Sequence, residues 1–440
     1  MKRAHGFTLI EMLVVVTIPF AFQLSGLHGL DPAPPAVSGV DPQGLALLVA
    51  AATLTGGPSP ARGDDAPLFE RDIRPILRAH CLDCHGAGDE FAGDGDAAHV
   101  SGEAMHVRHG FPSPFTAAVD DDASAHVSTN RVYRLHLDDG STLVGKVSSY
   151  GSYFLFYEDH DRLSRCAELL QGTRFQGMLA EIWRKDGRLF TWYDQRMWAV
   201  FYDDVQRRES LPKVLSVEQV RNLGREIAEF HLACTDLAPH IPPASKTIKS
   251  DAIHLLELLE SPFATRNFGL QAESIGVLWK HTHRFLERLI SIGYDEWPKI
   301  PVLIDWNLGN FSVAPNDDGS FRLYSRWDYD WFRVEPRLLD FYFLSRVSST
   351  TGDRTQFTYG PHTLVEAPFL QFLDAYRQVF PLSRDEIAFL PEVYRFFILN
   401  YVVREGARFF RDDLCTKFRN DAVRSYLPAL ERLDISPLLG

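Results

Sequence analysis

The sequence predicts an α+β fold in which a small antiparallel sheet with one helix precedes a larger, mainly helical lobe, and three observations predict it. Between 130 and 147 (NRVYRLHLDDGSTLVGKV) Val132, Arg134 and His136 alternate with Tyr133, Leu135 and Leu137 until Asp-Asp-Gly turns the chain. That period of two is a hairpin, with Lys146 ending its second strand. Next, YFLFYEDHDRLSRCAELLQ places Leu155, Leu163, Cys166 and Leu170 near one helical face, and MLAEIWRKDG and RLFTWYDQRMWAVFYDDV follow as two further strands. After 206 the pattern turns helical: Ser216 and Gln219 form a capping box for SVEQVRNLGREIAEFHLAC, and amphipathic runs recur at 251–260, 274–293 and 367–409.

With 440 residues, 45% hydrophobic and 23% charged, the chain can bury a large core in two or three domains. A net charge of −13 and a pI near 5.7 argue against binding a phosphate backbone, so no nucleic-acid partner is expected. The five cysteines are too few and scattered for a disulfide scaffold. Only Cys81 and Cys84 lie close together.

Residues 1–65 read as leader and linker. MKRAHGFTLIEMLVVVTI has a basic start, then Gly6, Phe7 and an apolar run with Glu11, and resembles a type IV prepilin leader. A second apolar stretch, GLALLVAAATL, resembles the core of a secretory signal. Residues 66–114 resemble a truncated c-type cytochrome segment: Cys81, Cys84 and His85 have the spacing for two thioether bonds and an axial iron ligand. The Gly-, Ala- and Asp-rich stretch that follows has too few large apolar residues to enclose a haem, and Met105 is the nearby thioether and a candidate internal start. Membrane contact or export is expected only if the leader is retained; otherwise the cytoplasm is.

The chemistry concentrates in PVLIDWNLGNFSV and WDYDWFRVEPRLLD. Asp305 and Asn310 lie five apart across a turn, with Asp328, Asp330 and Asp340 downstream. A carboxylate to orient a hydroxyl, an amide oxygen and a second carboxylate for Mg²⁺, and a remote lysine for phosphates are the parts phosphoryl transfer needs. Read singly, Asp305 serves equally as a turn aspartate, Lys146 as an edge-strand lysine and His231 as a packed helix-end residue. In combination and in this order they point to a nucleotide site.

Residues 115–440 resemble the aminoglycoside phosphotransferase and choline kinase branch of the protein-kinase-like fold. The resemblance implies a bilobal chain with an N-lobe at 115–205 and a C-lobe at 206–440. The family's His-Gly-Asp-x-x-x-x-Asn loop is matched by Leu303, Ile304, Asp305 and Asn310, and LGREIAEFH by its helix ending in Leu-His. It makes Asp305 the catalytic base, Asn310 and Asp328 the Mg²⁺ ligands, and Asp340 of Pro336-Arg337-x-x-Asp340 a brace for the loop. Lys146 would contact the nucleotide phosphates with Glu158, or else Glu168, as its helix partner. Main-chain groups of 201–205, with Tyr202 and Val205, would meet adenine. Two departures stand out: Leu303 replaces the family's histidine, and AVDDDASAHVSTNR lacks a glycine-rich loop.

The expectation is therefore an ATP- and Mg²⁺-dependent transferase acting on a small-molecule hydroxyl. The rivals are a pseudokinase that binds nucleotide without turnover and an exported redox protein with haem at His85.

Overall fold

The computed structural model describes residues 115–119, 130–137, 142–148, 151–185, 188–189, 191–193, 198–353, 359–408 and 410–439, all within a unit spanning Asp65–Gly440. The leader, the Cys81–Cys84–His85 motif and the Asp-Asp-Gly turn lie outside these residues. Among the described residues no helix is long and apolar enough to cross a membrane.

The alternating run forms the hairpin. β1 (Phe115–Val119) pairs with β2 (Asn130–Leu137), and β2 with β3 (Thr142–Ser148), Val132 facing Lys146 and Leu135 facing Leu143. Helix α1 (Tyr153–Leu169) follows and buries Leu163, Cys166 and Ala167, as its apolar spacing requires. The next two expected strands are interrupted. Only β4 (Arg184–Lys185), β5 (Arg188–Leu189), β6 (Thr191–Tyr193) and β7 (Trp198–Asp203) form, and the sheet runs β1-β2-β3-β7-β6, antiparallel throughout. The reason is divided pairing: Leu179 bridges Arg326 while Ile182 bridges Tyr202, so residues 178–183 are shared between two partners and form no extended strand.

Helix α2 (Val217–Leu237) starts at the expected capping box, Gln219 N donating to Ser216 Oγ at 3.2 Å and Ser216 N to Gln219 Oε1 at 2.9 Å. Its buried stripe is Val220, Leu223, Ile227, Phe230, Cys234 and Leu237. Next come α3 (Ile248–Glu260), α4 (Ala264–Phe268) and α5 (Ala272–Ser291). Two short antiparallel pairs interrupt the helices: β8 (Ile300–Val302) with β11 (Arg333–Glu335), and β9 (Phe311–Pro315) with β10 (Phe321–Arg326), bulged at Tyr324. Helices α6 (Phe341–Val347), α7 (Ala367–Val379) and α8 (Arg384–Phe397) follow. α8 runs on as a π-helical stretch, Ile398–Arg404, before α9 (Asp412–Asp421), α10 (Leu427–Glu431) and α11 (Ser436–Leu439). The run expected at 367–409 divides because Pro381 follows α7 and a Ser383/Glu386 capping box restarts the chain as α8.

α2 and α7 pack with backbone contact at Gly224, where an added Cβ would lie 2.5 Å from the Phe372 carbonyl oxygen. Gly224→Ala is therefore expected to lower stability in urea unfolding by about 1–3 kcal/mol. Gly276→Ala on the exposed side of α5, where an added Cβ meets nothing within 4 Å, is expected to raise it by about 0.5–1 kcal/mol.

Candidate active site

Strand β8 delivers the chain into a tight loop whose apolar members point inward: Leu303, Ile304, Trp306 and Leu308 are buried and Asp305 is half-buried. Ile304 has φ 61, a left-handed conformation that a β-branched side chain adopts only under strain. Around it Asp305 N donates to Leu303 O at 2.7 Å and Trp306 N to Ile304 O at 2.8 Å. The strained turn is held by Asp340, fully buried at the end of a 3₁₀ turn, Arg337–Asp340, that follows Pro336. Its carboxylate accepts from Ile304 N (2.7 Å), Trp306 Nε1 (2.7 Å) and His231 Nε2 (2.8 Å). His231 Nδ1 in turn meets the Tyr376 hydroxyl at 2.9 Å, and with Nε2 donating to a carboxylate it is the acceptor. Arg337 fixes the 3₁₀ turn from outside, forking onto Glu386 at 2.8 and 2.9 Å and lying 3.7 Å over the Phe380 ring.

The acidic arm begins where β10 ends. Asp328 has φ 64, the other positive-φ residue besides glycine among the described residues. Lys146, buried in β3, sends Nζ to Asp328 Oδ1 at 3.3 Å and forms an ion pair with Asp330. Asn130 Nδ2 donates to Asp330 from the start of β2. Burial lowers the Lys146 pKa, with Asp328 opposing the change. Burial also raises Asp305 to about 6, aided by the Asp328 charge and opposed by Arg326.

The structure thus brings Lys146, Asp305 and Asp328 within electrostatic reach of one another. Asn310 joins them, its Nδ2 donating to Asp305 O at 3.4 Å, which turns its oxygen away from that carbonyl. Glu158 is not brought in: it binds Arg162 one helical turn on and Ser245 Oγ at 2.7 Å, so Lys146 has the aspartates in place of the expected helix glutamate. Glu168, the second choice, pairs with Arg165 and Arg184. Tyr202 is buried in β7, with its hydroxyl 2.5 Å from His160 Nε2. Much of the main chain expected to meet adenine is already engaged: Phe201 O by Trp183 N, Asp203 N by Glu181 O and Asp204 N by Thr142 O. Among the described residues Val205 is the first past the strand with no backbone partner.

Three contributors are absent from the sequence expectations, Asn130, Trp306 and Arg326, and a fourth, Asp330, belongs to the expected acidic cluster without an assigned role. Asp330 had a signal, an acid two places beyond Asp328 in WDYDW. Asn130, Trp306 and Arg326 had none, because each acts through a contact distant in the chain or through the main chain. Among the described residues no three His, Cys, Asp or Glu side chains are clustered to enclose a metal. Asp328, Asp330 and Asn310 carry the hard oxygen atoms of the kind that hold divalent cations such as Mg²⁺.

The Prokaryotic N-terminal methylation motif matches residues 1–18. No curated protein matches the sequence. Among solved structures, the chain is similar to an amicoumacin kinase in complex with AMP-PNP, Ca²⁺ and Ami, at 15% identity and TM-score 0.49, over 73% of this chain and 90% of that one. It is also similar to a microcompartment-associated aminopropanol kinase, at 17% identity and TM-score 0.48, over 72% and 96%. A third is a spectinomycin phosphotransferase in complex with ADP and spectinomycin, at 13% identity and TM-score 0.41, over 72% and 94%.

Proposed function

We propose that the chain is an ATP-dependent phosphotransferase that moves a γ-phosphoryl group to a hydroxyl of a small molecule. The observation that carries this reading is Lys146, held 3.3 Å from Asp328 and within electrostatic reach of Asp305, although the three come from separate elements. A buried cation beside paired carboxylates, next to a half-buried carboxylate of raised proton affinity, is the equipment for positioning phosphates and activating a hydroxyl.

In this reading Asp305 accepts the acceptor's hydroxyl proton as the oxygen attacks, and Lys146 moves from the aspartates onto the nucleotide phosphates. Val205 N–H would meet the adenine edge. Asn310 and Asp328, with Asp330 beside them, would hold Mg²⁺, which when bound neutralises charge on the phosphate oxygens. Nucleotide binding without turnover is the second reading, motivated by Leu303. Against it, Asp340 supplies the loop's brace through Ile304 and Trp306, so the missing histidine leaves the base positioned.

Asp305→Asn is expected to lower acceptor-dependent ADP release by about 10²–10⁴-fold while nucleotide affinity stays within about threefold. Lys146→Ala is expected to weaken nucleotide binding. The assay is a panel of sugars, amino alcohols and aminoglycosides with coupled ADP detection. Nucleotide binding by the wild type with no ADP release across the panel would establish the binding-only reading.

The pH dependence follows from Asp305. Its ionised form is the base, and burial raises it to about 6. kcat/KM, which reports the free enzyme, should be flat above that pH and fall about tenfold per unit below it. An acid limb near pH 4, the ordinary carboxylate range, would remove Asp305 from the role.

A further inference from the structure

We infer that Arg326 is a positioning residue of this site, a strut that ties the loop carrying Asp305 to the arm carrying Asp328 through main-chain carbonyls. The inference rests on the phosphotransferase reading and deepens it. Arg326 ends β10 and is fully buried. Its Nη2 donates to Asp305 O at 2.7 Å, and its Nη1 to Asn310 O at 3.0 Å and to Trp327 O. One guanidinium therefore grips both ends of the 305–310 loop and the residue before Asp328.

A buried guanidinium ordinarily pairs with a carboxylate. Among the described residues no carboxylate comes within salt-bridge distance of Arg326, although Asp305, Asp328 and Asp340 all lie close enough to act on its charge. Its donors are spent on carbonyls, and Nε finds no partner at all. That is an expensive way to fill a core position and an effective way to set a distance between two loops. The planar fork is essential to it. A lysine has one ammonium and cannot span three carbonyls in two segments, and an apolar residue spans none.

The rest of the loop shows why such a strut is needed. Leu303 and Ile304 carry no hydrogen-bonding side chain, so neither side chain braces the loop through a polar contact. Asp340 fixes Ile304 and Trp306 to His231, away from the acidic arm. Lys146 fixes Asp328 and Asp330 to the sheet, away from the loop. Arg326 joins the two sets alongside the main-chain bond from Trp327 N to Asn310 O at 3.0 Å, and its guanidinium also lies 5.7 Å over the Trp306 ring and 5.9 Å over Tyr329, one residue from each carboxylate.

The test uses the full chain as Arg326→Met, similar in length without the fork, and Arg326→Lys, which keeps the charge. In the ligand-free protein, backbone hydrogen exchange across 304–310 should rise about tenfold in both variants while α2 is unchanged. With substrates, kcat should fall about a hundredfold in both, with nucleotide affinity and acceptor KM within about threefold of wild type. Unchanged exchange in the loop overturns the inference. So does a parallel loss of melting temperature, nucleotide affinity and turnover, which describes a residue needed only for folding. If Arg326→Met fails to fold, Arg326→Lys decides the matter by the same readouts. If the wild type transfers no phosphoryl group, the proposed function fails, and the exchange measurement still decides whether Arg326 holds the loop.

Discussion

The carboxylate of Asp340 is the constraint on which the site depends. Placed in the core without partners, an ionised carboxylate would be strongly unfavourable, and here three donors converge on it. Hydrogen bonds to a charged group contribute about 1.5–3 kcal/mol each, while a residue in a sparsely populated backbone region costs about 1–3 kcal/mol. Two of the three donors belong to the loop itself, so they offset the strain at Ile304. Their loss would free the turn to relax and carry Asp305 with it. The third donor, His231, connects the loop to Tyr376 and thereby to the α2–α7 pair.

Charge is organised with similar economy. Three carboxylates, Asp305, Asp328 and Asp330, share two buried cations, Lys146 and Arg326. Arg326 is fixed by carbonyls, whereas among the described residues Lys146 is held by the aspartates alone. Under the proposed function, the excess negative charge favours a metal–nucleotide complex over a bare nucleotide. In that reading Asp328 and Asp330 would hold the metal once the Lys146 ammonium has turned to the phosphates, so that neither carboxylate would be left uncompensated.

Much of this was legible in the sequence, for local reasons. The hairpin at 130–147 follows from alternation and α2 from the Ser216/Gln219 box, while it is the family resemblance that implies a shared site for Asp305, Asn310 and Asp328 and a bracing role for Asp340. Where sequence reasoning failed, the deciding contacts were tertiary. The family resemblance implies Glu158 as the helix partner of Lys146, yet Arg162 stands four residues away and captures it within the helix. The 178–205 segment reads as two strands by composition, but Leu179 and Ile182 are claimed by different partners. Arg326 alternates along β10 like a surface residue, and nothing local marks its burial.

Ile304 is the residue that sequence reasoning could not have interpreted, and it explains how the loop works with leucine at 303. Glycine at this position would adopt φ 61 without strain but would bury nothing. Isoleucine is strained there, and fully burying its side chain returns about 1.5–3 kcal/mol, a gain of the same size as the cost. The strain is therefore exchanged for an apolar anchor directly beneath Asp305. Trp306 adds a second anchor on the other side, its ring edge-on to Phe230 at 6.0 Å and Phe311 at 5.6 Å. The loop's rigidity is assembled here from packing below it, Asp340 beside it and Arg326 across to the acidic arm.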